Sequence, residues 1–145
     1  MAELKGSQTH DNLLAVFATE AQAQVRFSYF AQIAEIEGYH HVADTLRELA
    51  EAEVLYAHGH LDYLRQVADP ATGLPLGETE RNLQAALMSD AIGQRETYPA
   101  LARTAHAEGF PDIASWFETL AKAKRSHAQR LRDALDGKSP ASEAP

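Results

Sequence analysis

The chain has 145 residues, no cysteine and a formal net charge of −8. A chain of this length predicts one domain that can bury a core without disulfide or metal staples. The absence of cysteine excludes disulfides, thiolate metal sites and iron–sulfur clusters from this sequence. The acidic balance argues against nucleic-acid binding, which rests on neutralising phosphate charge. With no long apolar run and no basic-flanked leader, we expect a cytoplasmic protein with no membrane partner.

The first part of the chain predicts two helices. From 12 to 38, apolar residues recur at spacings of three and four, which is typical of one buried helix face. A second helix is expected over about 39–66, and both Glu53 and Tyr56 fall on its apolar stripe. A carboxyl and a phenol are therefore expected among core residues, where polar side chains are uncommon.

Residues 68–77 contain two prolines and two glycines, so this segment predicts an extended crossover rather than a helix. A third helix is expected from about 78 to 109, with a kink at Pro99. The fourth helix is expected over 111–135, because Pro111 suits a first helical turn. The tail, 137–145, is rich in small and polar residues and is expected to be disordered.

The two halves of the chain repeat one another. The run LAEAE at 49–53 returns as LAKAK at 120–124, and an offset of 71 residues superposes the copies. This offset pairs Gly38 with Gly109, Glu53 with Lys124 and Tyr56 with His127. In each copy a glycine followed by an aromatic residue ends one helix and precedes the next. The second copy therefore carries an ammonium where the first carries a carboxylate.

Four helices with one long crossover predict an all-α fold, a ferritin-like four-helix bundle over residues 1–136 made from two duplicated helical hairpins. Proteins of this type build metal sites from carboxylates that project into the bundle. Duplicated hairpins also form bundles that have no catalytic or metal-binding role. The expectation of such a role here therefore rests on the polar residues of the buried stripe.

The sequence resembles the rubrerythrin family, particularly short members without a rubredoxin module. The resemblance spans almost the whole chain and includes the Glu20 segment. It rests on Leu4-Lys5-Gly6-Ser7, Asn12-Leu13-Leu14, Tyr29-Phe30-Ala31, Glu37-Gly38-Tyr39, Ala57-His58-Gly59-His60, Tyr98-Pro99, Glu108-Gly109-Phe110 and Trp116-Phe117-Glu118. It implies a dimer of di-iron bundles that reduces hydrogen peroxide, with hairpins exchanged between subunits in some members.

The family pattern implies seven ligand positions, and this sequence keeps four of them. Glu20, Glu53, Glu96 and His127 match the pattern. The other three positions carry Tyr56, Gly93 and Lys124 instead of histidine, glutamate and glutamate. The resemblance thus implies that the second iron loses two carboxylates and gains a positive neighbour, so an intact di-iron centre is not expected.

These residues allow two states of the polar core. In the first, oxygens of Glu20, Glu53 and Glu96 bind a single iron or manganese ion. In the other, no metal binds and Lys124 neutralises Glu53 and Glu20. Tyr56 and Lys124 are the candidate catalytic residues, although the residue type by itself favours Tyr56 as an ordinary core aromatic over a redox or ligand role.

Three functional hypotheses remain. The first in rank is an altered redox or metal-binding protein, and close to it is a metal-free bundle that acts as a dimeric scaffold or partner subunit. The last is a di-iron peroxide reductase. A homodimer is expected, with hairpin exchange as an option, and any electron donor or protein partner is unidentified. His127 without its glutamate is more typical of a hydrogen-bonded core histidine than of a metal ligand.

Overall fold

The computed structural model describes residues 2–137, so the predicted tail lies outside the described residues from 138 onward. Every regular element within residues 2–137 is helical, which confirms the predicted all-α class. The α-helices are α1 (Gln8–Ile36), α2 (His40–Leu64), α3 (Thr79–Ile92), α4 (Tyr98–Ala107) and α5 (Pro111–Asp136), and a π-helical turn spans Gly93–Thr97.

The chain divides into two compact units after Pro70. In the first unit, α1 packs against α2. In the second, α3, the π-helical turn and α4 pack against α5. Each unit is a helical hairpin whose two arms are joined at a glycine, as the sequence repeat predicts.

The two hairpins turn in the same way. Gly38 has a φ of +86°, and the amide of Tyr39 donates to the carbonyl of Ala34 over 2.8 Å. In the second hairpin Gly109 has a φ of +88°, and the amide of the next residue donates to the carbonyl of Ala105 over 2.8 Å. This is the Schellman ending, in which a residue with positive φ satisfies the last carbonyls of a helix. The predicted equivalence of the two glycines is confirmed.

Alanines form most of the buried core of each hairpin, and Leu64 is the largest fully buried side chain among the described residues. Four buried alanines of the first hairpin recur in the second at the repeat offset. They are Ala31, Ala34, Ala43 and Ala57, and then Ala102, Ala105, Ala114 and Ala128. Small side chains let two helix backbones approach closely. The two hairpins therefore share the same helix–helix contact positions as well as similar sequences.

One polar pair also recurs, with its acidic and basic partners exchanged. Arg47 on α2 donates to Glu35 on α1 over 3.0 Å, and His106 lies 3.0 Å from Glu118 at the equivalent positions. Hydrogen bonds from Arg47 and then from His40 hold the pKa of Glu35 below its ordinary value of 4.5. The duplicated scaffold therefore tolerates an exchange of acid and base at matched positions.

The predicted third helix is interrupted before the proline rather than kinked at it. The irregularity is the π-helical turn, which ends at Thr97, two residues before Pro99. Pro99 has no backbone N–H, so the carbonyl four residues earlier lacks its usual donor, and a wider turn accommodates this loss. The π-helical turn begins at Gly93, one of the positions at which the sequence departs from the family pattern.

Candidate functional site

A lysine and an aspartate form an ion pair inside the second hairpin. Lys124 on α5 places its Nζ 3.1 Å from Oδ1 of Asp90 on α3. The Asp90 side chain is only 14% exposed and that of Lys124 is 31% exposed. Nδ1 of His127, one turn further along α5, lies 3.8 Å from the other oxygen of Asp90. The carboxylate is therefore held between two basic side chains and largely shielded from water.

The stem of this lysine lies directly over Gly93. A Cβ atom at Gly93 would lie 3.4 Å from Cγ and 3.7 Å from Cδ of Lys124. The aliphatic part of Lys124 thus packs directly over the glycine, and its ammonium continues toward Asp90. A glutamate at 93 would have to share this space with the lysine. The two departures from the family pattern in this hairpin are therefore spatially coupled.

Open space flanks the ion pair on two sides within the second hairpin. A cavity of about 480 Å³ is lined by Asp90, His127 and Leu131 among others. A smaller one of about 280 Å³ is lined by Gly93, Tyr98 and Lys124 among others. Asp90 thus borders the larger space and Lys124 the smaller one.

Two candidate ligands lie in the first hairpin. Glu20, on α1, is partly buried. Glu53, on α2, has its Oε2 atom fully buried with no hydrogen-bond partner among the described residues. A buried carboxylate oxygen without a partner is unusual, because the lost hydration is normally replaced by a donor or a cation. Glu53 therefore has an unmet requirement for positive charge or a proton.

The remaining predicted residues lie at the surface of the described chain. Tyr56 is 55% exposed, and both its reactive role and its role as a core aromatic stay predictions. Glu96 is also exposed, within the π-helical turn. In the structure, the two positions three residues apart that meet Lys124 are Asp90 and Gly93. The assignments of Glu20, Glu53, Glu96 and His127 as metal ligands stay predictions.

Sequence reasoning missed Asp90. The available signal was its spacing, because Asp90 precedes Gly93 by three residues and so shares a helix face with it. The family pattern instead implies its pair of carboxylates one turn later, at the positions of Gly93 and Glu96. The partner of Lys124 observed in the structure is Asp90, while pairing of Lys124 with Glu20 or Glu53 stays a prediction.

Within residues 2–137, no three histidine, aspartate or glutamate side chains come together as a group that could hold a metal ion. The same part of the chain contains no helix with the length and apolar character needed to cross a membrane. The site seen directly is therefore an acid–base pair within one hairpin.

Repeated helical hairpins with carboxylates on their inner stripes define the ferritin-like class of all-α proteins. The rubrerythrin family model matches residues 11–135. The chain is 37% identical to a rubrerythrin of Porphyromonas gingivalis over 131 residues, covering 88% of this chain and 66% of the relative. It is 33% identical to rubrerythrin-1 of Clostridium acetobutylicum over 146 residues, covering 93% of this chain and 73% of the relative. This chain belongs to the rubrerythrin family.

A weaker likeness is to a solved structure of nigerythrin in a mixed-valence state, at 23% identity and a TM-score of 0.43. That match covers 93% of this chain and 67% of the other. The chain thus spans about two thirds of the length of these proteins.

Proposed function

We propose that this chain is a rubrerythrin-family protein with a degenerate metal site, which binds at most one iron or manganese ion. The Lys124–Asp90 ion pair takes the place of the second ion. A residual or altered redox role is assigned to the polar core of Glu20, Glu53 and Glu96. Tyr56 and Lys124 are its candidate reactive side chains.

The observation that carries this proposal is the position of the Lys124 ammonium, 3.1 Å from Asp90 and with its stem over Gly93. A divalent ion in contact with Asp90 would have to displace this ammonium or lie beside it. At a separation of 4 Å, each unit of like charge costs about 4 kcal/mol at the effective dielectric of a protein surface. Two ions therefore do not fit the donor set of this chain.

We infer a site for one ion from Glu53 of the first hairpin. The unpartnered Oε2 of Glu53 requires a cation or a donor, and oxygen ligands suit iron in its divalent state and manganese. Glu20 supplies a second carboxylate on the same hairpin, and the part of Glu96, which lies in the second hairpin, stays a prediction. The bound ion would supply positive charge to these oxygens and a centre able to change oxidation state.

Metal content tests this proposal. The protein is produced with iron, manganese and zinc supplied in turn, and metal per chain is measured by mass spectrometry of the elements. We expect at most one ion per chain, lost in Glu53→Gln and kept in the matched control Glu48→Gln, whose side chain is exposed on the same helix. Two ions per wild-type chain would overturn the proposal.

Restoring the family residues gives the complementary test. The triple variant Tyr56→His, Gly93→Glu, Lys124→Glu is expected to bind more iron than the wild type and to reduce hydrogen peroxide faster with an artificial electron donor. The partial variant Gly93→Glu alone serves as the control, because it keeps the lysine that opposes the second ion. Iron content unchanged in the triple variant would show that the site has been placed at the wrong residues.

The second candidate is a metal-free scaffold or partner subunit, which the exposed apolar side chains favour. Ile36 is 82% exposed, Leu55 70%, Val25 64% and Trp116 59%. Apolar surface that remains exposed to water is available for burial against a partner or a second copy of the chain. A homodimer, with or without hairpin exchange, provides such cover, and light scattering at twice 15.9 kDa would support it. A chain that binds no metal and has an unmodified mass would favour this candidate.

A further inference from the structure

A second polar feature of the second hairpin lies apart from the Lys124–Asp90 pair. An open groove with a volume of about 800 Å³ runs between the π-helical turn and α5. We call it the basic groove. Its lining residues are Gln94, Arg95, Lys122, Arg125, Ser126, Gln129 and Arg132. Four of these seven carry a positive charge and none carries a negative one.

The cations of the groove are free to meet a ligand. No ion pair joins Arg95, Lys122, Arg125 or Arg132 to a carboxylate within the described residues. One carboxylate on α5, that of Asp133, accepts a hydrogen bond from the side-chain amide of Gln129 over 3.0 Å. The groove therefore concentrates positive charge in a chain whose net charge is −8.

The shape of the groove follows from local structure. Lys122, Arg125, Gln129 and Arg132 step by three and four along α5 and so form one stripe, about 15 Å long at 1.5 Å per residue. The π-helical turn sets Gln94 and Arg95 beside this stripe. The stripe on α5 provides a row of cations, and Arg95 provides another cation across from it. This arrangement suits an elongated anion better than a small, compact anion.

We propose that the basic groove binds the phosphate chain of an oligophosphate, either free or as part of a nucleotide. Guanidinium groups donate two parallel hydrogen bonds to phosphate oxygens, and three of the four cations are arginines. Gln94 and Ser126 supply neutral donors for further oxygens. The acidic remainder of the chain opposes this binding only weakly, because salt screens charges beyond about 8 Å at physiological ionic strength.

Calorimetric titration with tripolyphosphate and with adenosine triphosphate tests the proposal, using the full chain. We expect binding of both, weakened at least about tenfold in the double variant Arg95→Gln, Arg125→Gln, since two charge-assisted contacts are lost. Equal affinities would identify the phosphate chain as the ligand, and tighter binding of the nucleotide would identify a nucleotide site. Failure of both probes to bind would overturn the proposal.

A matched variant separates a built site from general attraction to positive charge. Arg81→Gln, Arg103→Gln changes the net charge by the same amount, at arginines outside the groove. We expect this variant to keep the wild-type affinity within about twofold. An equal loss in both double variants would show non-specific attraction and would overturn the proposal. Circular dichroism of each variant confirms that the helices are retained.

Discussion

The Lys124–Asp90 ion pair leads to a quantitative prediction about stability. Lys124→Met keeps the aliphatic stem over Gly93 and removes the ammonium. The carboxylate of Asp90, only 14% exposed, then loses its lysine partner and keeps only the more distant Nδ1 of His127 at 3.8 Å. Leaving a buried group unsatisfied costs about 1–3 kcal/mol, and the 31% exposure of the lysine side chain argues for the middle of that range. We expect a loss of about 2 kcal/mol in the free energy of unfolding.

The assay is urea unfolding followed by circular dichroism, after removal of metal ions so that no binding contributes to stability. A loss of 2 kcal/mol corresponds to a fall in the melting temperature of about 4–8 °C for a chain of this size. The exposed Lys122→Met, two residues away on α5, is the matched control and should change stability by less than about 0.5 kcal/mol.

A double-mutant cycle distinguishes the ion pair from lost packing. Asp90→Asn removes the charge that Lys124→Met leaves uncompensated. The double variant should therefore be more stable than the sum of the two single losses predicts, by about 1–2 kcal/mol. Additive losses, within about 0.5 kcal/mol, would refute the reasoning, because they would mean that the two side chains do not interact energetically.

Three further predictions concern single positions. Gly93→Ala should be neutral or stabilising by up to about 1 kcal/mol in thermal unfolding, since Gly93 is helical and its nearest neighbour would lie 3.4 Å away. Gly38→Ala should destabilise by about 1–2 kcal/mol because φ is +86°, whereas Gly59→Ala in mid-helix should stabilise slightly. In an NMR titration, Arg47→Gln should raise the pKa of Glu35 toward 4.5. Because the pKa of Glu35 is lower in the folded state than in the unfolded chain, its stabilisation is fully present above the unfolded-state pKa. That stabilisation is lost as the pH falls through the folded-state pKa.

The helical hairpins were predictable because their signals are local. Apolar spacing, the glycines at 38 and 109 and the proline at 111 each act within a few residues, and the helices begin and end close to the predicted positions. The π-helical turn was not predictable in position. Pro99 indicates that a hydrogen bond is lost, but neighbouring packing decides where the backbone takes up the change.

The candidate site was predictable in part. The duplication by itself identified Lys124 as a cation on a stripe where the other copy has Glu53. It did not identify Asp90, because the choice between two carboxylates six residues apart, Asp90 and Glu96, depends on which one faces α5. The rotation of α3 about its axis and the π-helical turn decide which carboxylate faces α5. Both features are consequences of packing.

The sequence by itself determined the helical class, the duplication, the glycine turns and the exchange of a carboxylate for an ammonium, because each is written in residue type and spacing. Only the tertiary structure decided that Lys124 lies over Gly93 and reaches Asp90, and that Oε2 of Glu53 is buried without a partner. Those outcomes depend on distances of a few ångströms between side chains on different helices. Such distances are set by how alanine-lined faces pack, a property that no linear pattern specifies.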